Sequence, residues 1–485
     1  MHPLAQQDHR YVWHPFTQMR DWLKREPIVI VEGRGAVLRD ARGRKYLDAS
    51  SSIWTNLHGH NHPKINAALI RQLNRIAHSS ALGLANEPAS ILAGKLVQAA
   101  NSPQGPRAAP EIGPALTKVF FSDDGSTAME VALKLAYESA RRRGQSRNPK
   151  FLSLADSYHG DTLGAVALGQ IQLFRKTWSG LLFKTHKVMA PYCYRCPHNR
   201  AAPERADARE YRKCNWECLD KLEHKFAAQK KKGNPYAGFV FEPLMQGAAG
   251  MIAQPAAWLG RAAQIARGHG AMLIADEVMT GFGRAGANTS ARGKSLRRAD
   301  ALLFACQQEG VRPDFLALAK GLTGGYLPMA ATLTTQDVFD AFLGEYEEFK
   351  SFFHGHSYTA NQLGAAAALS NLELLRSLAS LQSRQVLEQT LRDELKTLWK
   401  HPGVGDIRQV GTIAGIELVR DWRTRKPFDW RERAGVRVCE AMARHGVLTR
   451  PVGNVVVLMP PYCTTPNQVR RIVKSLSEAI VSELE

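Results

Sequence analysis

Five short apolar runs, each closing on or running into a polar residue, constrain this chain's fold more than any other feature. They are VFFSD (119–123), FLSLA (151–155), GFVFEP (238–243), AMLIAD (271–276) and DFLALAK (314–320). Between them lie helical patterns such as STAMEVALKLAYESARRR, in which Ala128, Val131, Ala132, Leu135 and Ala136 recur on one face. Strands alternating with helices predict an α/β fold with a mostly parallel sheet. In such sheets ligands collect beyond the carboxyl ends of the strands, where the polar residues stand here. Beyond about residue 363, two long helical patterns precede VGTIAGIELV and GNVVVLM, which read as strands of a separate lobe.

Four of those strand ends carry chemistry. After VFFSD come Asp124, Gly125, Ser126 and Thr127, opening a helix whose N-terminus favours an anion, although Ser126 also reads as an ordinary N-cap. Asp276 closes AMLIAD, where a carboxylate caps a turn or holds a cationic ring nitrogen. Lys320 closes DFLALA and precedes Gly321, Gly324 and Gly325, which admit another group close to the backbone. Tyr158 and His159 follow FLSLA, where an aromatic face would cover a flat ligand. Glu242, closing GFVFEP, has two open readings, a carboxylate behind the site or a turn residue. Phosphate cradle, aromatic cover, carboxylate and lysine in this order compose a site for pyridoxal phosphate.

At 485 residues and 44% apolar, the chain is long enough for a large core and two or more lobes. Its formal charge of +20 raises nucleic acid as a partner, but the excess is dispersed over RRRGQSRNPK (141–150), KFAAQKKKGNP (225–235) and SARGKSLRR (290–298). These segments adjoin turn-forming residues and lack interleaved stacking aromatics, so no nucleic-acid role is expected. No apolar stretch is long enough for a membrane span, and MHPLAQQDHRYVWHPF lacks signal-peptide order. The expected location is the cytoplasm. Cys193, Cys196, Cys214 and Cys218 form a C-x2-C and C-x3-C pair whose spacing suits a structural zinc, with Cys214 and Cys218 on one helix face; reduced thiols are the other reading.

DDGSTAMEVALK, YHGDT, LIADEVMTGFGR and ALAKGLTGG resemble the class III aminotransferases of fold type I, over nearly the whole chain. WHPFTQM (13–19), SSSIWTNLHGHNHP (50–63), FFHGHSYTANQ (352–362) and LTRPVGNVVVLMPPY (448–462) are similar to the branch that converts 8-amino-7-oxononanoate to 7,8-diaminononanoate in biotin synthesis. Ornithine and 4-aminobutyrate aminotransferases often carry Gln where this chain has Met279. The resemblance implies a large domain over 76–362 and a small α/β domain built from 1–75 and 363–485. It implies that Lys320 bonds the pyridoxal phosphate aldehyde and later moves protons, that Asp276 pairs with the ring nitrogen, and that Tyr158 stacks on the ring. Gly125 and Ser126 would hold the phosphate, helped by His356 and Ser357 reaching the neighbouring site of a homodimer. Arg450 would bind the acceptor's distal carboxylate, with Gly355, Ile53, Trp54 and Phe16 lining the substrate pocket.

S-adenosylmethionine is the expected amino donor. The pattern for that donor has Tyr where this chain has Phe16, and paired Trp where it has Ile53 and Trp54, so lysine is the other donor considered. The alternative function is an ω-amino acid or diamine transaminase using pyruvate or 2-oxoglutarate. NSPQGPRAAPEIGP (101–114) and ANTSARGKSLRRADA (287–301) stand out as added surface loops.

Overall fold

The computed structural model describes residues 1–102, 112–286 and 302–485. The added loop at 287–301 and most of the one at 101–114 lie outside the described residues.

The central sheet has seven strands: β1 (Leu116–Ser122), β2 (Lys150–Leu154), β3 (His186–Val188), β4 (Tyr236–Phe241), β5 (Met272–Asp276), β6 (Phe315–Leu318) and β7 (Ala330–Thr335). Their spatial order is β1-β7-β6-β5-β4-β2-β3. Strands β6, β5, β4, β2 and β3 run parallel, and β7 runs antiparallel between β6 and β1. All five predicted runs are strands of this sheet. The run β4 is buried at every position, as a strand covered on both faces requires. Helix α1 (Gly125–Arg142) packs Ala128, Val131, Ala132, Leu135 and Ala136 into the core, the stripe that the helical spacing predicted.

A four-stranded sheet joins the two ends of the chain: Val447–Leu448 pairs in parallel with Lys45–Asp48, beside Val37–Asp40 and Ile30–Arg34. Helices Gln362–Leu375 and Leu378–Leu395 then lead to a five-stranded sheet holding Val404–Val410, Ile413–Asp421 and Val455–Leu458. No helix among the described residues is long and apolar enough to cross a membrane.

A buried charge network fixes the C-terminal sheet to the chain that leaves β3. Arg408, fully buried, donates through Nη1 to Asp406 (2.9 Å) and Glu417 (2.7 Å) and through Nε to the Met251 carbonyl (2.6 Å). Glu417 also accepts from Arg195 Nε and Nη2, at 2.9 and 2.7 Å. Two carboxylates and two guanidiniums thus balance inside one low-dielectric region. The arginines hold Glu417 ionised below the usual glutamate range, whereas burial raises Asp406. Removing one cation leaves charge without compensation, which costs about 3–5 kcal/mol. Arg408→Ala is expected to lower unfolding free energy by that order in denaturant titrations, with partial recovery at lower pH as the stranded carboxylates protonate. A loss below about 1 kcal/mol, the level of an exposed pair, refutes the network's role.

Candidate active site

The parallel strands deliver their polar ends to one edge of the sheet, where a cleft of about 760 Å³ opens. Lys320, Asp276, Tyr158, Gly125, Ser126, Glu242 and Trp54 all line it.

Lys320 follows β6 with a positive φ of 41°. A non-glycine residue holds such an angle at a cost of about 1–3 kcal/mol and only where its surroundings over-determine it. Asn371 supplies part of that constraint, donating its side-chain amide to the carbonyls of Gly321 (2.8 Å) and Leu322 (2.9 Å). Gly321 packs between Leu57 and Phe282, leaving little room for a Cβ. The lysine residue keeps partial exposure to the cleft while its amine sits deep within it. There burial lowers the amine's pKa, offset in part by Asp276 and Glu242. The Trp54 ring centroid is 4.9 Å from Nζ.

Asp276 ends β5 and is 6% exposed. Its Oδ1 accepts from the Val278 amide at 3.1 Å, and its Oδ2 accepts from His159 Nδ1–H at 2.8 Å. A carboxylate partner assigns the proton to Nδ1 of that imidazole. The His159 side chain is fully buried and its Nε2 has no partner. The sequence reading missed this pairing, which joins residues 117 positions apart. Its one trace in the sequence is the histidine next to the covering tyrosine.

Tyr158 is tied down twice: its amide donates to Glu242 Oε1 (3.0 Å) and its hydroxyl to Asp161 Oδ2 (2.7 Å). Burial, then Asp161, push the phenol well above its ordinary pKa, so it remains a neutral ring. Glu242 accepts also from the Gly247 amide at 2.8 Å, and burial pushes its carboxyl up to about 7. Both readings of this residue therefore meet, since the turn carboxylate is also part of the cleft wall.

Ser126 is not the helix cap. Asp124 takes that position in a reciprocal pair with Thr127, in which Thr127 N donates to Asp124 Oδ1 at 2.9 Å and Asp124 N to Thr127 Oγ1 at 3.0 Å. The Ser126 hydroxyl instead accepts from the Thr162 amide (2.9 Å), with the Thr162 hydroxyl at 3.1 Å. Gly125 lies so close that a Cβ there would meet Val278 at 2.8 Å, and a Cβ on Gly160, at φ 121°, would strike Ser126. Helix N-terminus, hydroxyls and close backbone approach form a cradle of the kind that receives phosphate. With Val278 and Tyr158 also lining the cleft, the residues present fit pyridoxal phosphate.

The remaining predicted residues are not brought to this cleft. Phe16 is 64% exposed and packs on Phe174 (5.5 Å), which packs in turn on Tyr158 (5.7 Å), so an aromatic row joins it to the site indirectly. Phe174 was not anticipated from sequence. Ile53 is 46% exposed. Gly355 and Ser357 are exposed, and His356 is half-buried against His354. Arg450 is exposed beside the Val455–Leu458 strand and makes no ion pair among the described residues.

The zinc expectation finds no support. Cys193, Cys196, Cys214 and Cys218 do converge on one cavity of about 20 Å³. Among the described residues, however, no group of three or more His, Cys, Asp or Glu is arranged to hold a metal ion. The helix begins at Glu217, after a left-handed Trp216, so Cys214 stands outside it and shares no helical face with Cys218. Arg212 Nη1 contacts the Cys214 sulfur at 3.3 Å.

The lowered pKa of Lys320 has a signed consequence for stability. The unfolded chain holds this proton more tightly, so the charged amine penalises the fold below the ordinary value of 10.5. The penalty is full below the depressed folded pKa and vanishes above 10.5. Cofactor-free Lys320→Met is therefore expected to melt above cofactor-free wild type at neutral pH, with the gap closing as pH rises toward 10.5. A gap that does not change with pH rules out a desolvated amine.

Comparison with known proteins agrees with this geometry. The family model described as Aminotransferase class-III matches residues 19–480. The adenosylmethionine-8-amino-7-oxononanoate aminotransferase of Geobacter sulfurreducens is 46% identical over 98% of this chain and 96% of its own, and that of Aquifex aeolicus is 41% identical over 99% and 98%. The crystal structure of the Methanocaldococcus jannaschii enzyme of the same name superposes with a TM-score of 0.86 at 36% identity, covering 99% of both chains. An omega transaminase from Pseudomonas jessenii, solved with PMP, superposes at 0.85 with 26% identity, over 99% of this chain and 98% of its own. Fold, strand-end chemistry and whole-length similarity agree: the chain belongs to the class III aminotransferases, with the fold type I architecture.

Proposed function

We propose that the chain transfers an amino group to 8-amino-7-oxononanoate to give 7,8-diaminononanoate in biotin synthesis, with S-adenosylmethionine as donor. The carrying observation is the buried Lys320 amine, set in one cleft with the Asp276–His159 pair and walled by Trp54 and Met279. Relatives bearing this activity in their name match it end to end. Pyridoxal phosphate, when bound, supplies an electron sink for the charge left at the substrate carbon. Lys320 would bond its aldehyde and, as a free amine, would move a proton at that carbon, a role suited to an amine whose pKa is lowered by burial. Asp276 would pair with the ring nitrogen and keep it protonated, and His159 fixes the orientation of its carboxylate. Gly125 and Ser126 would hold the phosphate, and Tyr158 would cover the ring and limit water.

The protein acts as a homodimer in the cytoplasm. Supporting the dimer, residues 346–358 carry aromatic side chains that this chain leaves uncovered: Tyr346, Phe349, Phe353 and Tyr358 are 91%, 67%, 76% and 64% exposed. Within that segment His356, Ser357 and Gly355 serve the neighbouring site. Arg450 turns toward the acceptor carboxylate, for which a guanidinium offers two parallel donors. Its outward position in the free chain favours a second reading, an ω-amino acid or diamine transaminase that accepts pyruvate or 2-oxoglutarate, with lysine as the other donor considered.

Stopped-flow half-reactions separate these readings. Lys320→Ala is expected to lose the long-wavelength cofactor absorbance and nearly all turnover, and Asp276→Asn to keep the cofactor while slowing proton transfer by orders of magnitude. Truncating one partner of a desolvated charge pair costs about 2–5 kcal/mol, so Arg450→Ala should raise the acceptor KM accordingly and spare the donor half-reaction. If both half-reactions of Arg450→Ala match wild type, the diaminononanoate reading gives way to the second one. An active monomer in sedimentation removes the shared site.

A further inference from the structure

The backbone around Trp54 is the most constrained part of the cleft. Ser51, Ser52 and Trp54 have φ of 50°, 64° and 65°, and Ser52, with ψ −82°, lies near the rare classic γ-turn. Non-glycine residues keep such angles only where the surroundings over-determine them.

Two buried charged side chains that are not part of the cleft wall do so. Asp48, 2% exposed, accepts from the Ser50 amide (3.2 Å), from the Ser52 amide through both oxygens (3.0 and 2.8 Å) and from His60 Nε2 (2.9 Å). Arg284, 1% exposed, donates through Nη2 to Ser51 Oγ (2.8 Å) and the Asn56 carbonyl (2.9 Å), and through Nη1 to the Pro460 carbonyl (2.7 Å). Its guanidinium lies over the Tyr462 ring at 4.9 Å and makes no ion pair among the described residues. Ser51 Oγ passes the tie onward, donating to the Met459 carbonyl at 2.7 Å. The carboxylate thus holds the entrance of the turn and the guanidinium its middle and exit. The turn presents the Trp54 indole over Lys320 Nζ, and a Cβ on Gly247 behind it would strike Met279 Sδ at 2.5 Å and lie 3.3 Å from the ring.

We propose that Asp48 and Arg284 are positioning residues, holding a strained turn so that Trp54 stays over the lysine amine as the fixed wall against which the acceptor's aliphatic chain lies. Only the identity of the acceptor rests on the function proposed above. If the turn relaxed to ordinary angles, the indole would swing off the amine, and the cleft would lose its apolar face without losing Lys320, Asp276 or the phosphate cradle. The two effects are therefore separable.

The test uses the full-length protein carrying Asp48→Asn or Ser51→Ala, each with and without Trp54→Phe, so that subtraction isolates the Trp54 emission. In cofactor-free wild type this emission should be partly shielded from acrylamide, as the half-buried indole requires. In both variants its quenching constant should rise by about twofold or more, because the indole becomes mobile and wet. With cofactor and substrates, the acceptor KM should rise about tenfold, the scale of one lost charged hydrogen bond, while the donor half-reaction changes less than about threefold. Unchanged Trp54 shielding in both variants overturns the proposal, as does a lowered Tm with no change in acceptor KM. Should Asp48→Asn fail to fold, Ser51→Ala decides, since it removes a hydroxyl and strands no acid. If wild type rejects 8-amino-7-oxononanoate while the emission behaves as expected, the function reading fails and the positioning role stands.

Discussion

A lysine amine held away from water is the condition to which the rest of this site conforms. Desolvation destabilises the charged amine, and the fold bears that cost in exchange for a group that gives up its proton more readily than an exposed lysine. Carboxylates brought too close would cancel the effect. Each nearby acid is instead engaged elsewhere: Asp276 by His159 and the Val278 amide, Glu242 by the amides of Tyr158 and Gly247. These bonds point the acids' lone pairs at donors other than Lys320. Asp276 in particular is left with its imidazole as a fixed orienter.

The parallel sheet explains how such an arrangement is assembled from distant residues. Strands β2, β4, β5 and β6 run in the same direction, so their terminal residues arrive at one edge whatever the lengths of the intervening helices. The register places Asp276 on β5 opposite Ala317 on β6, and Lys320 follows three residues later. A run of core-type residues ending in a functional group therefore has both its strand and its chemistry set locally. This is why the strand ends, and with them Lys320, Asp276, Tyr158, Gly125, Ser126 and Glu242, were legible in the sequence.

What was not legible depended on partners far apart in the chain or on competition between neighbours. His159 acts through one hydrogen bond to a residue 117 positions away and Asn371 through two to residues 50 and 49 positions away, and nothing in the local sequence shows that either side chain has such partners. The cap of α1 fell to Asp124 because its side chain and Thr127 satisfy each other, which freed the Ser126 hydroxyl for Thr162. The antiparallel strand β7 escaped notice because it departs from the alternating pattern of the parallel strands. Cysteine spacing suggested a metal, but spacing does not record the left-handed Trp216 that separates Cys214 from the helix. Phe16, Ile53, Gly355 and Arg450 rest on resemblance, and one chain by itself does not gather them at the cleft.

The two places where local preference is most openly violated face each other across the same amine. Lys320 carries φ of 41° on one side, and Trp54, with Ser51 and Ser52 before it, carries similar angles on the other. Neither segment holds these angles unaided. Asn371 and the packing of Gly321 fix the first, and Asp48 and Arg284 fix the second. Gly325 adds a direct link, since a Cβ there would lie 2.8 Å from the Asn56 backbone, so the two segments touch and neither relaxes independently. Strain kept in two abutting turns, each secured by buried polar groups, fixes the lysine and its cover relative to one another more tightly than two relaxed loops would. The buried Arg408 network acts at longer range by the same means, tying the C-terminal sheet to the segment after β3. Because the Val455–Leu458 strand of that sheet leads directly into Met459 and Pro460, whose carbonyls receive Ser51 and Arg284, the position of Trp54 is set in part by the lobe that lies beyond the cleft.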